Sequence, residues 1–371
     1  MKVPFVDVRS QYADVREETD AVLHEILTTG GYVLGKHNQG LEAEIAALHG
    51  VKHGIAVNSG TDALRIMLDA TGVGRGDEVI TTAFTFVASA EVIVQAGAVP
   101  VFVDIDPETF QIDPSKIEAA ITPRTKAIMP IHLFGQLVDV QAVCDIARRH
   151  DLIVLEDAAQ GIAAHHNGVY TGNYGAAAGL SFYVTKNLGA AGDGGMILTN
   201  YDDVADKSRA MRVHGMMRER YVYDYIGYTS RMDEIQAAIL RVKLTKLEEW
   251  NCRRDELSRI YFEVLAGTEV ALPKTIPGNN HTWHQFSVRV PNRDGLKAFL
   301  KEREVDSMIY YPIPLHFHPP YSHLAAKGSL PQTEKVASEI LSLPIQAHLS
   351  EDQVRFAAES VREFCKAKAG V

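Results

Sequence analysis

The chain has only three cysteines, Cys144, Cys252 and Cys365. They are odd in number, far apart and without a CxxC spacing, so they offer neither a disulfide framework nor a thiolate zinc site. Three thiolates also fall short of the four usual for an iron-sulfur cluster. No uninterrupted apolar run approaches the roughly 20 residues that span a bilayer. The opening stretch MKVPFVDVRSQY lacks the apolar segment and small-residue cleavage site of a signal peptide. The expectation is therefore a cytoplasmic protein with no membrane partner. Positive charge is also in short supply: 37 Lys and Arg against 47 Asp and Glu leave a formal charge of -10. That balance excludes a general basic surface for nucleic acid or anionic lipid, and an anionic ligand needs a local site instead.

What is present reads as a globular chain ordered nearly throughout, with 46% hydrophobic and 23% charged residues. Its 371 residues make one large domain plus a smaller one the natural division. Between about residue 55 and residue 200, short β-branched or apolar runs recur between helical patterns: EVITT (78–82), VPVFVD (99–104), AIMPIHL (127–133), LIVLED (152–157), GLSFY (179–183) and GMILT (195–199). This alternation predicts an α/β domain whose mostly parallel sheet is covered by helices on both faces. In such sheets ligands bind beyond the carboxyl ends of the strands. Met232, Ile235, Ile239 and Val242 recur at helical spacing after Ser230 and Asp233, which predicts a long amphipathic helix over 230–250 with those two residues as a capping pair. Beyond it His284, Phe286, Val288 and Val290 alternate with polar residues, the period of a half-buried strand. The predicted division is residues 1–250 and a smaller α+β domain over 251–371. The proline-rich stretch YYPIPLHFHPPY (310–321) is expected to be an ordered loop, because each proline lacks a donor and restrains its predecessor. Its His316 and His318 have no third ligand at helical spacing, so no metal site is expected.

Four short motifs carry the chemistry, each with an ordinary structural alternative. In NSGTDAL (58–64) small residues precede a helix, so Gly60 and Thr61 offer free amides, a hydroxyl and the positive dipole end to a phosphate; a simple capped helix reads the same way. AFTFVASAE (83–91) sets Phe84 and Phe86 just after a strand, where a ring can stack on a planar ligand or fill the core. Asp157 ends LIVLED and precedes AAQ, so its carboxylate and the amide of Gln160 stand where a parallel sheet presents ligands, or else Asp157 caps a helix. A buried acid there needs a cation, and a protonated pyridine nitrogen supplies one. In SFYVTKNLGAAGDGG (181–195), Ser181 closes a strand and Lys186 precedes a glycine turn that lets the chain pack closely round a ligand. A lysine attacks carbonyls only when deprotonated, which partial burial favours; taken alone, Lys186 also reads as a solvated surface lysine. A phosphate cradle, an aromatic platform, a strand-end acid and a Schiff-base lysine together supply every contact that pyridoxal 5'-phosphate (PLP) needs.

In this order NSGTDAL, AFTFVASAE, IHLFGQ, LEDAAQG, SFYVTKNLGAAGDGG and GYTSRMDEIQAAI resemble the DegT/DnrJ/EryC1/StrS sugar aminotransferases, over essentially the whole chain. The resemblance implies the aspartate aminotransferase fold (PLP fold type I) and a homodimer with its sites at the interface. It makes Lys186 the Schiff-base lysine, pairs Asp157 with the pyridine nitrogen and puts Gln160 near the ring hydroxyl. Phe86 takes the stacking position, and Gly60, Thr61 and Ser181 hold the phosphate. Relatives commonly read GYNSR where this chain has Thr229 in place of asparagine, a residue that reaches the neighbouring subunit's phosphate; with a shorter hydroxyl that contact is expected to be weakened or water-mediated. The loop with Tyr310, Tyr311, His316 and Tyr321 resembles the family's YPxPLH segment near the sugar nucleotide; the same aromatics also read as ordinary packing.

The implied reaction moves an amino group from an amino acid, L-glutamate being usual, to a keto-sugar nucleotide. The turn Gly192–Asp193–Gly194–Gly195 reads GDGG, which relatives acting at C-3 carry more often than those acting at C-4. A same-fold sugar dehydratase has histidine in place of the lysine, which Lys186 argues against. Two alternatives stay open: a non-nucleotide ketone such as a cyclitol or aminobenzoate precursor, and a noncatalytic regulatory protein of the same fold.

Overall fold

The computed structural model describes residues 1–368. Its strands in chain order are β1 (His53–Val57), β2 (Glu78–Thr82), β3 (Val99–Val103), β4 (Thr125–Ile128), β5 (Ile153–Asp157), a hairpin of β6 (His165–His166) and β7 (Val169–Tyr170), β8 (Ala177–Ser181) and β9 (Gly195–Thr199). All but the hairpin form one seven-stranded sheet in the order β1-β9-β8-β5-β4-β2-β3. From β3 to β8 every neighbour is parallel. Only β9 runs against its neighbours, between β8 and β1. The mixed α/β fold with a mostly parallel sheet is thus the one expected.

Side chains of period two explain why both faces are covered. Ile55, Val57, Leu155 and Ile197 join Leu64 and Met67 of the helix Gly60–Ala70 in one cluster. Ala56, Leu180, Met196 and Leu198 pack on the other face with Leu41 and Leu240. β1 lies outside the six runs visible in the sequence, because His53 and Gly54 interrupt its pattern and it joins through antiparallel pairing with β9. β4 stops at Ile128, short of the run expected to 133, and Pro130 explains the break, since it has no donor for a ladder.

The single helix expected over 230–250 is instead two, Glu234–Leu244 and Leu247–Leu265. The capping pair does not form. Asp233 makes no side-chain cap bond, and Ser230 Oγ donates to Asn58 Oδ1 at 3.2 Å. Glu234 organises this helix start through a distant contact, its carboxylate accepting from the Gly35 amide (2.9 Å) and Asn38 Nδ2 (2.7 Å).

The expected division after residue 250 falls inside Leu247–Leu265. Beyond it β10 (Phe286–Arg289) pairs antiparallel with β11 (Ile340–Leu343). A second cluster around Tyr261 and Phe286, whose rings stack at 4.6 Å, takes in the helices Arg293–Glu302 and Glu351–Lys368. Val3, from the other end of the sequence, is buried in the same cluster and bridges to Val305. No helix among the described residues is long and apolar enough to cross a membrane.

Candidate active site

Asp157 is the last residue of β5 and is buried. Its Oδ2 accepts from Ser89 Oγ at 2.7 Å and its Oδ1 from the Ala159 amide at 3.1 Å. Burial pushes this carboxyl up, while those bonds and the charge of Lys186 hold it back. Three residues on, Gln160 is fixed at both ends of its amide: Oε1 accepts from the Phe134 amide (2.6 Å) and Nε2 donates to the Tyr311 hydroxyl (3.2 Å). Immediately before Asp157, Glu156 is buried with its side chain on the opposite side of the strand. It accepts from His132 Nε2 (2.9 Å), Thr171 Oγ1 (2.8 Å) and the amides of Gly172, Tyr174 and Gly175. This clamp holds the strand end rigid under the acid.

Lys186 follows β8 in a tight turn closed by its own amide on Tyr183 O at 2.8 Å. Burial lowers its ammonium to about 8, with Asp157 pulling the other way. The amine is therefore available as a nucleophile near neutral pH. Lys186 shares a cleft with Tyr310, His284, Asn187, Trp250 and Arg254.

The phosphate cradle rests on backbone contact. The helix Gly60–Ala70 is capped by Ser59, whose Oγ accepts from the Asp62 amide at 3.1 Å, while the first-turn amides of Gly60 and Thr61 have no intrahelical partner. A methyl group on Gly60 would lie 2.6 Å from Ser181 Cβ, and one on Gly195 would lie 2.2 Å from Ser59 O. Only glycine lets the ends of β8 and β9 meet the helix start, and this leaves the free amides beside the Ser181 hydroxyl.

Of the two phenylalanines, Phe84 is buried among Phe110 and Phe134, whereas Phe86 is 56% exposed. Its ring centroid is 6.3 Å from that of Tyr311. One ring is core and the other presents a free face. His316 is turned away from this group: it is buried and bonded to Glu334 through Nε2 at 3.1 Å. Tyr321 also packs in a core, with Leu315 and Leu330. Thr229 is exposed and bonded to His214 Nε2 at 3.1 Å. The structure thus gathers Gly60, Thr61, Phe86, Asp157, Gln160, Ser181, Lys186, Tyr310 and Tyr311 at one end of the sheet, and leaves Thr229 and His316 with other partners. Among the described residues no three of His, Cys, Asp and Glu gather as a metal site requires.

Several residues at the site carry little sequence signal. Ser89 sits three positions after Phe86 inside a quoted motif, so helical spacing could have pointed to it. Asn187, Arg254 and His284 come from separate elements, and no local pattern joins them.

The residues fit PLP: a buried acid for the ring nitrogen, a softened lysine for the aldehyde and free helix-start amides for the phosphate. Fold and site together define a PLP-dependent aminotransferase. The chain belongs to the DegT/DnrJ/EryC1/StrS aminotransferase family, whose model matches residues 13–362. It is 50% identical to the pleiotropic regulatory protein of Geobacillus stearothermophilus, over 98% of this chain and 99% of that protein. It is 41% identical to the dTDP-3-amino-3,4,6-trideoxy-alpha-D-glucose transaminase of Streptomyces venezuelae, over 98% of this chain and 97% of that one. Among solved structures, S. venezuelae DesV in complex with a ketimine intermediate superposes with a TM-score of 0.96 at 41% identity, covering 98% of this chain and 99% of that chain.

Proposed function

We propose that this enzyme transfers an amino group from an amino acid, L-glutamate in the first instance, to C-3 of a keto-sugar nucleotide. The observation that carries the reading is the Lys186 amine, softened by burial, facing the Asp157 carboxylate beside a backbone cradle for phosphate. The Streptomyces relative, named for a 3-amino sugar, supports C-3, as does the GDGG turn at Gly192–Gly195. When bound, PLP supplies an electron sink that lets the α-proton of an amino acid leave. Lys186 would anchor the cofactor and, once free as a base, would carry the proton from the donor's α-carbon. Asp157 keeps the pyridine nitrogen protonated, and Ser89 fixes the carboxylate that does so. Gln160 and Tyr311 form the wall on the ring-hydroxyl side, and Phe86 offers its open face to the ring. Lys186 returns the proton when the sugar ketone takes up the amino group, and ping-pong kinetics follow.

The working unit is a cytoplasmic homodimer with sites at the subunit interface. Exposed apolar side chains on one loop, Tyr221, Val222, Tyr223 and Ile226, lead directly into Thr229 and support this. Tyr310 and His316 belong to the sugar-nucleotide side of the site, Tyr310 directly and His316 by holding its loop through Glu334.

The test is a visible absorption spectrum of the purified protein with PLP, before and after L-glutamate, with Lys186→Ala alongside. The band is expected in the wild type, bleached by glutamate and absent in the variant; in a panel of keto-sugar nucleotides, 3-keto members then restore it and 4-keto members do not. The regulatory name of the Geobacillus relative favours a second reading, a noncatalytic protein of this fold. A wild type that develops no band with PLP would establish that reading instead.

A further inference from the structure

Arg254 stands out among the buried cations. It lies on the helix Leu247–Leu265 and is 7% exposed. Its Nη1 donates to Trp283 O at 3.1 Å, yet its Nε has no hydrogen-bond partner, and it makes no ion pair with any described residue. Lys243, also buried, is satisfied by Gln11 Oε1 and Gly189 O at 2.9 and 2.7 Å. A guanidinium stays charged in proteins, and a buried charge without a counter-ion is costly enough to demand one. Arg254 also lines the cleft that Lys186 lines. His284, on the same wall, feels the charge of both cations, whereas neither cation registers the other. Lys186, His284 and Arg254 thus line one cleft, with the imidazole subject to both charges.

A donor amino acid must bring its amine to the Lys186 end of this cleft. We infer that Arg254 receives the side-chain carboxylate of that donor, and so selects an acidic amino acid over a neutral one. A fork of planar donors matches a carboxylate bidentately, and a buried, unpaired fork rejects a neutral side chain that leaves it unpaired. Asp7, among the described residues the one carboxylate lining the cleft, is already engaged by Ser10 Oγ at 2.6 Å and by the Ser10 amide at 3.0 Å. The phosphate cradle at Gly60 and Ser181 is a separate part of the site, so Arg254 is free for the donor. This inference rests on the aminotransferase reading above.

The chain's only two tryptophans, Trp250 and Trp283, both lie at this cleft or against Arg254, which gives a binding signal independent of turnover. Glutarate, an unreactive dicarboxylate, is expected to change tryptophan fluorescence saturably in the PLP-loaded wild type. Arg254→Met should weaken that response by about a hundredfold, with Arg254→Lys between the two. In the half-reaction followed by the visible band, the wild type should prefer L-glutamate to L-glutamine, and Arg254→Met should lose the preference while its rate with glutamine is kept. Wild-type glutarate affinity in Arg254→Met, or an intact glutamate preference, overturns the inference. So does equal slowing of the donor and sugar half-reactions with a lowered melting temperature, which would mark Arg254 as a prop for Trp283. If Arg254→Met does not fold, the wild-type titration and Arg254→Lys decide, and absence of any glutarate response in the wild type counts against the site. Failure of the aminotransferase reading looks different: no visible band forms in any variant.

Discussion

At Asp157 and Lys186, burial pushes both groups toward their neutral forms, and each holds the other toward its charged one. Two predictions follow from that opposition. In the cofactor-free protein the neutral amine of Lys186 is the reactive form, so the rate at which added PLP develops its visible band should rise with pH and level off above about 8. An ordinary lysine would still be gaining reactivity near its usual 10.5, and a stopped-flow pH series that does so would refute the assignment. Asp157→Asn keeps the shape and the Ser89 contact but leaves the cationic ring nitrogen without a counter-charge. A loss of about 3 kcal/mol, or roughly a hundredfold in kcat, is expected from unpairing a buried ion. Single-turnover rates with glutamate measure it, and an unchanged rate would remove Asp157 from the mechanism.

Elements meet at this site by backbone contact, so glycines in one turn differ sharply in what they tolerate. Gly195→Ala would set a methyl against Ser59 O and force β9 away from the helix Gly60–Ala70. About 1–3 kcal/mol of destabilisation is expected, with weaker PLP retention. Gly192, three residues earlier, meets nothing nearer than Gln236 Nε2 at 3.6 Å, and Gly192→Ala should melt as the wild type does. Urea unfolding of the two variants makes the comparison. Sequence alone reveals the glycine run, but not which member is indispensable, because that depends on a carbonyl more than a hundred residues away. The same division runs through the fold. β2 and β9 are legible to the residue, since each is a short apolar run buried at every position. β1 and the start of Glu234–Leu244 are not, because an antiparallel partner creates the first and the Glu234 carboxylate, bonded to Gly35 and Asn38 about 200 residues away, anchors the second. Asp157 and Lys186 are legible from local motifs, whereas the buried charge of Arg254 is visible only once the cleft around it exists.

At the scale of the whole molecule, the loop carrying Ile226, which is 93% exposed, asks for a partner surface. If the proposed homodimer uses this loop, Ile226→Glu should sediment as a monomer where the wild type sediments as a dimer, with loss of PLP retention; a variant that stays dimeric and active would place the interface elsewhere. Thr229→Asn lengthens the side chain and exchanges its hydroxyl for an amide, and tighter PLP retention on dialysis is the expected result. The bridge between Val3 and Val305 has a bearing on how the protein is made. These residues are about 300 positions apart, so at bacterial or eukaryotic elongation speeds about 15–60 s pass between the emergence of the first and of the second. Late in that interval the main sheet, complete by Thr199, can form on the ribosome, while the segment around Val3 waits for a partner not yet synthesised. Folding at this contact therefore runs against the order of synthesis: Val3, made long before Val305, finds its place only after it.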